Sequence, residues 1–309
     1  MKIGIVVNPA SGGYGRHRIW PALRQSLVAQ FAGIKFFETE GTGDAARYAR
    51  ALSDAGSDLV VAVGGDGTIG EAVDGILTSD RPETPFAFVP GGTGADFARN
   101  FSFPQSPEAI VTALVNAPVR AVDVGRLSCL DDDGRAFTRH FINIASLGLS
   151  GPTVRAVNKA RRDRRTPGSR QFLYHSVVEL LRYRADKVRV LIDDEDVHEG
   201  PITVVAVANG RWFGGGMKVA PAADIADGLF DVVVIRAASK PTILRLMNRI
   251  YSGAHVSHPL VSIHRGRRVE VLPADESKGR LALIDCDGEG PGTVPATFEV
   301  LPGALRLKI

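Results

Sequence analysis

Cysteine is nearly absent from this chain of 309 residues, which holds Cys129 and Cys286 alone. Two such distant cysteines make neither a disulfide framework nor a zinc spacing, so a reducing, cytoplasmic compartment is expected. Long apolar runs are also lacking. No stretch approaches the roughly 20 apolar residues that a membrane span needs, and contact with a bilayer is expected to be peripheral. The apolar run in Met1 to Asn8 is too short for a signal peptide and reads as a first strand. Net charge is only +3, too small to imply nucleic acid by itself. No zinc, helix-turn-helix or aromatic-interleaved strand motif accompanies the basic residues, so nucleic acid is not expected as a partner. Internal repeats and low-complexity tracts are missing. His17, His140, His175, His198, His255, His258 and His264 share no ligand spacing and read as surface or core residues.

What is present is a globular composition, 44% hydrophobic and 23% charged, on a chain long enough for two domains. Short apolar runs at Lys2 to Val7, Ile34 to Thr39, Leu59 to Val63 and Phe86 to Val89 alternate with helical spacing at Arg16 to Gln30, Asp44 to Ala55 and Ile69 to Leu77. That alternation predicts a parallel sheet with crossover helices. A further helix is expected over Pro107 to Val115, capped by Ser106. From Ala121 onward the texture turns β-rich, with runs at Val188 to Ile192, Thr203 to Ala208, Phe230 to Ile235, Val269 to Leu272, Leu281 to Ile284 and Thr297 to Val300. Turns separate most of them, which predicts a mostly antiparallel sandwich or barrel. Helices near Phe172 to Tyr183 and Lys240 to Tyr251 interrupt it. The expected domains are residues 1–125, α/β, and 126–309, β-rich, with the last strand, Ala304 to Ile309, able to return to the first.

Chemistry gathers in three loops that follow predicted strands. Gly64-Gly65-Asp66-Gly67-Thr68 puts a carboxylate among glycines at the carboxyl end of a strand, where ligands bind in open α/β sheets. Read alone, Asp66 and Thr68 are as well explained as caps of the next helix. Asn8-Pro9-Ala10-Ser11-Gly12-Gly13 follows the first strand, and Pro90-Gly91-Gly92-Thr93-Gly94-Ala95-Asp96 follows the fourth, adding a hydroxyl and a carboxylate. Glycines at 91, 92 and 94 suit close approach of backbone to a ligand. Glu71, one turn into its helix, either faces this edge or favours the helix dipole. Neither a Walker motif nor a complete dinucleotide fingerprint is present.

Together these loops, with Phe97-Ala98-Arg99 after the third, resemble the diacylglycerol kinase catalytic-domain family, which includes bacterial lipid kinases and sphingosine kinases. Asn209 to Gly216, Pro221, Asp227-Gly228-Leu229-Phe230-Asp231 and Asp287-Gly288-Glu289 are similar to the second-domain signature of its bacterial members. The resemblance implies an α/β domain and a β-sandwich domain with ATP between them, and an ATP-dependent kinase of a diacylglycerol-like or sphingoid lipid. It implies that Asn8, Pro9, Ala10, Ser11, Gly12, Thr39, Gly65, Asp66, Gly67, Thr68, Glu71, Gly92, Thr93 and Asp96 contact or frame the nucleotide, with Asp66 at the phosphates and their Mg²⁺. Glu289 matches the proton acceptor, with Asp287 beside it, and spacing alone does not choose between them. Asp224, Asp227 and Leu229 match a separate structural Mg²⁺ site.

Two positions depart from the pattern: Ala95 and Asp74 stand where relatives commonly carry Asn. The basic stretch Arg155, Lys159, Arg161, Arg162, Arg164, Arg165 and Arg170 precedes a helix with Phe172, Leu173, Tyr174, Val177, Val178, Leu180 and Leu181. It suits an anionic membrane surface, or else solvated arginines beside a packed helix. The expected partners are a lipid substrate and that surface, with a homodimer left open. A kinase of a soluble hydroxyl compound, NAD kinase-like, and a non-catalytic nucleotide-binding regulator are the alternatives.

Overall fold

The computed structural model describes residues 1–11, 19–91, 95–104, 106–162, 169–274 and 281–309. Residues 1–123 and 302–309 form one compact unit, and residues 124–301 form another.

The first unit runs β1 (Ile3–Val7), α1 (Ile19–Gln30), β2 (Lys35–Glu38), α2 (Asp44–Asp54), β3 (Leu59–Gly64), α3 (Asp66–Leu77), β4 (Phe86–Pro90) and α4 (Pro107–Asn116). Its strands pair in parallel in the order β2-β1-β3-β4, and the chain's last strand adds beside β4, with Leu307 opposite Phe86. β1 and β3 are apolar at nearly every position because they are buried throughout. Ile3, Ile5, Val7, Val61 and Val63 meet Trp20, Leu23 and Leu27 of α1 and Ile110 and Leu114 of α4. Each such fully buried side chain contributes roughly 1.5–3 kcal/mol. Ser106 caps α4, its Oγ accepting from the N–H of Ala109 at 3.2 Å.

The second unit contains most of β5 (Val119–Leu130), then β6 (Ala136–Phe141), β7 (Ile144–Gly148), α5 (Ser150–Arg162), α6 (Ser169–Arg182), β8 (Asp186–Ile192), β9 (Glu195–Ala208), β10 (Phe230–Arg236), α7 (Lys240–Ile250), β11 (Val261–Gly266), β12 (Arg268–Pro273), β13 (Ile284–Cys286) and the larger part of β14 (Thr293–Lys308). It is a β-sandwich with antiparallel ladders: β11-β10-β9-β8-β12-β14 in order, with β7 and β13 continuing from β9, and β5 and β6 from β14. β10 shows why its sequence is apolar throughout. Val232 and Val234 enter a core with Phe141, Phe230 and Phe298, while Val233 and Ile235 face a second core under α6 and α7.

Several expectations need correction. The helix expected from Ile69 begins at Asp66. The strand expected over Leu281 to Ile284 lies at Ile284–Cys286, and Thr297 to Val300 is the middle of one long strand, β14. β5, β6, β7, α5 and β11 were not foreseen.

Candidate functional site

At the carboxyl ends of β1, β3 and β4 the three loops are tied to one another. Asn8 Nδ2 donates to Thr68 Oγ1 at 2.9 Å, joining the first loop to the second. Asn8 Oδ1 accepts from the N–H of Ala10 at 2.9 Å and so holds its own turn. The Gly91 N–H donates to the Gly64 carbonyl at 2.7 Å, joining the third loop to the second. A Cβ on Gly91 would sit 2.6 Å from Ser11 Oγ and 3.0 Å from Gly64 Cα, so no larger residue fits there without moving backbone. Thr39 reaches the same edge, its N–H donating to the Val7 carbonyl at 2.9 Å.

Asp66 opens α3 without capping it; Gly65 is the N-cap and the helix start has no side-chain cap. The carboxylate turns instead to the third loop. Its Oδ2 accepts from the N–H of Asp96 at 2.8 Å, and its Oδ1 from the N–H of Phe97 at 3.1 Å. It therefore caps the 3₁₀ turn Phe97–Asn100. Asp96 is buried and pairs with Arg99 at 3.1 Å, and Ala95 is buried beside it. Glu71 performs a similar task for α2: its two oxygens accept from the N–H groups of Gly43 and Ala45 at 2.9 and 3.2 Å. Gly12, Gly92 and Thr93 lie outside the described residues.

In the second unit, the Asp287-Gly288 pair forms the tip of a tight hairpin. Cys286 and Glu289 exchange backbone hydrogen bonds at 2.8 and 3.0 Å, and both central residues have positive φ, 49° and 85°. That combination is the demand of a type I′ turn, met by Asp-Gly. Asp287 is no solvated turn residue. Its buried carboxylate accepts from the N–H groups of Ile142 at 2.8 Å, Asn143 at 3.2 Å and Ile144 at 2.9 Å. Burial pushes its pKa up, while these donors and Arg139 act against that rise. Gly288 is held from both sides, its N–H by Asp285 at 3.0 Å and its carbonyl by Asn158 at 2.9 Å. Glu289, half-buried, follows directly.

Asn143 and Asn209 extend this network. Asn209 Nδ2 donates to the Ile142 carbonyl at 2.7 Å, and Asn143 Nδ2 to the Trp212 carbonyl at 2.8 Å. Asn143 belongs to no motif, and its signal in the sequence is an amide inside the apolar run Phe141 to Leu147.

The Asp224 to Leu229 segment is a pair of side-chain-closed turns: Asp224 accepts from the N–H of Ala226 at 3.1 Å and Asp227 from that of Leu229 at 3.0 Å. The other oxygen of Asp227 pairs with Arg265. Among the described residues no group of three or more His, Cys, Asp or Glu is placed to hold a metal ion. Nor is Arg155 a solvated surface cation. It donates to Asp132 at 2.8 Å and to the carbonyls of Ile284 and Gly292, both at 3.3 Å. Residues 163–168 lie outside the described residues, as do the side chains of Arg161, Arg162 and Arg170.

An apolar cavity of about 50 Å³ lies between the sheet and the helices of this unit, several times the roughly 10–15 Å³ that admits one water. Phe172, Phe213, Met217, Ile243, Leu246 and Met247 dominate its walls.

Comparison with known proteins agrees with the fold. The family model "Diacylglycerol kinase catalytic domain" matches residues 2–127, and "YegS C-terminal NAD kinase beta sandwich-like domain" matches residues 144–309, more than half of the chain. The chain belongs to the diacylglycerol kinase family. A relative named diacylglycerol kinase from Mycobacterium tuberculosis (strain ATCC 25618 / H37Rv) is 31% identical, covering 99% of this chain and 94% of that protein. One of the same name from Bacillus subtilis (strain 168) is 28% identical over 95% and 91%. A crystal structure described as a diacylglycerol kinase from Bacillus anthracis str. Sterne superposes with a TM-score of 0.72 at 22% identity, covering 99% of this chain and 96% of that one, and a yeast NADH kinase with a TM-score of 0.52 at 13% identity, covering 99% and 82%. These two likenesses speak for the fold.

Proposed function

We propose that the protein is an ATP-dependent lipid kinase, transferring the γ-phosphoryl group to a hydroxyl of a diacylglycerol-like or sphingoid lipid. The observation that carries the lipid acceptor is the apolar cavity of the second unit. A soluble, polar acceptor has no use for walls of Phe, Met, Leu and Ile, whereas an acyl chain buries about 0.8 kcal/mol per methylene against them.

The loops of the first unit carry the nucleotide side of the reading. The Ser11 hydroxyl and the backbone N–H groups at Gly65, Gly67 and Thr68 suit a polyphosphate, and so do Gly92 and Thr93 by sequence. Asp66 fits a hard divalent cation as well as its scaffold role, since a carboxylate at this strand edge offers the hard oxygens such a cation takes. Bound Mg²⁺ would neutralise charge on the phosphates. In this reading Asp66 holds the third loop and Glu289 takes the proton of the attacking hydroxyl. Asp287 positions the turn, because a carboxylate spent on three backbone donors is poorly placed to act as a base. Glu71 and Asn8 fix the loops that frame the nucleotide, with Pro9, Ala10, Thr39 and Asp96 beside them. Asp224, Asp227 and the Leu229 carbonyl offer hard oxygens for a second Mg²⁺, with Arg265 as the cation's competitor. Contact with an anionic membrane belongs to the same reading.

Labelled ATP offered in parallel with diacylglycerol, a sphingoid base, phosphatidylglycerol and NAD tests this directly. Transfer to a lipid supports the reading; transfer to NAD alone, or nucleotide binding with no transfer, overturns it.

A further inference from the structure

α7 has two unlike faces. Ile243, Leu246, Met247 and Ile250 point inward and wall the cavity. Lys240, Arg245 and Arg249 are exposed with Leu244, and Tyr251, also exposed, follows the helix. The helix contains three cations and no acid. Lys240 Nζ donates to the Leu181 carbonyl at the end of α6, which puts exposed Leu181 beside the first turn of α7. The nearby acid on α6, Glu179, is already paired with Arg182 at 4.0 Å. An outward face of cations interleaved with Leu and Tyr is the composition that lies in a lipid headgroup layer.

We propose that the outward face of α7, with Leu181, is the surface by which the protein docks on an anionic bilayer. Its charge is complementary to acidic headgroups, and its apolar side chains reach the acyl boundary. The inner side of the same helix walls the cavity, so docking brings the lipid layer to the helix that encloses the acceptor's chain. This inference rests on the lipid-acceptor reading of that cavity.

The test is sedimentation of the purified full chain with vesicles of phosphatidylcholine alone or with about a third phosphatidylglycerol. Its variants are Arg245→Gln/Arg249→Gln and Leu244→Ser, none of them in the cavity wall. The wild type should bind the anionic vesicles preferentially, and less so at high salt. The double variant should bind roughly 25-fold more weakly, about fivefold per cation removed. Both variants should keep wild-type melting temperature and wild-type turnover of a short-chain diacylglycerol in detergent micelles. Equal binding by wild type and the double variant, or no preference for anionic vesicles, would overturn the docking surface even if micellar lipid is phosphorylated. Arg245- and Arg249-dependent vesicle binding without phosphorylation of any micellar lipid would instead overturn the acceptor reading and leave the docking surface standing.

Discussion

The Oδ2 of Asp66 accepts the backbone N–H of Asp96 at 2.8 Å across a sequence separation of 30 residues. The residue that resembles a phosphate and metal ligand is thus also the clasp between the second and third loops. Asp66→Asn retains one acceptor but turns an amide N–H toward the N–H of Asp96 or Phe97. Loop geometry should fail with charge: turnover falls at least about 10²-fold, and stability drops by about 1–3 kcal/mol. Steady-state kinetics beside chemical denaturation checks both. Unchanged stability would contradict the clasp.

Asp287 and Glu289, two residues apart, should separate cleanly. Asp287→Asn loses acceptors for the N–H groups of Ile142, Asn143 and Ile144, so it should cost about 1–3 kcal/mol of stability. Glu289→Gln should melt like the wild type while turnover falls roughly 10²–10⁴-fold. The reverse pattern would exchange the two roles.

Asp285 makes stability depend on pH. Full burial pushes its carboxyl up to about 8 from 3.8, with the Gly288 N–H acting against the rise. Between those values the unfolded chain has released a proton that the native state keeps. Its contribution should therefore weaken stability progressively from about pH 4 to about pH 8 and level off above. Asp285→Asn keeps an acceptor for Gly288 and should flatten that decline, read from urea midpoints across the range. An unaltered slope would show that Asp285 is not its source.

The cavity invites a substitution that acts on one substrate. Ser176 lines it, and its hydroxyl is spent on the Phe172 carbonyl at 2.8 Å. Ser176→Leu should raise the lipid KM roughly fivefold, about 1 kcal/mol of lost fit, while the ATP KM stays as in the wild type. A shift in the ATP constant alone would detach the cavity from the acceptor.

The local parts of this architecture were legible in the sequence, and the non-local ones were not. Glycine loops after apolar runs announced themselves because strand, turn and ligand-facing edge are contiguous in the chain. That Asp66 would serve Asp96 and Phe97, or Glu71 cap α2, depends on tertiary contacts no spacing encodes. Spacing leaves Asp287 and Glu289 unseparated for the same reason: the donors that hold Asp287 lie about 145 residues earlier. α5 escaped notice because it begins Ser150-Gly151-Pro152, residues that ordinarily mark a turn, and continues with a basic polar run. Pro152 is tolerated there because the first helical turn has no intrahelical acceptor for its missing N–H.

Incubation with labelled ATP, Mg²⁺ and a total lipid extract, followed by extraction of the label, tests the central claim most directly. The account requires labelled product in the organic phase with the wild type and its near-absence with Glu289→Gln. Labelled product confined to the aqueous phase, or undiminished lipid labelling by Glu289→Gln, would contradict it.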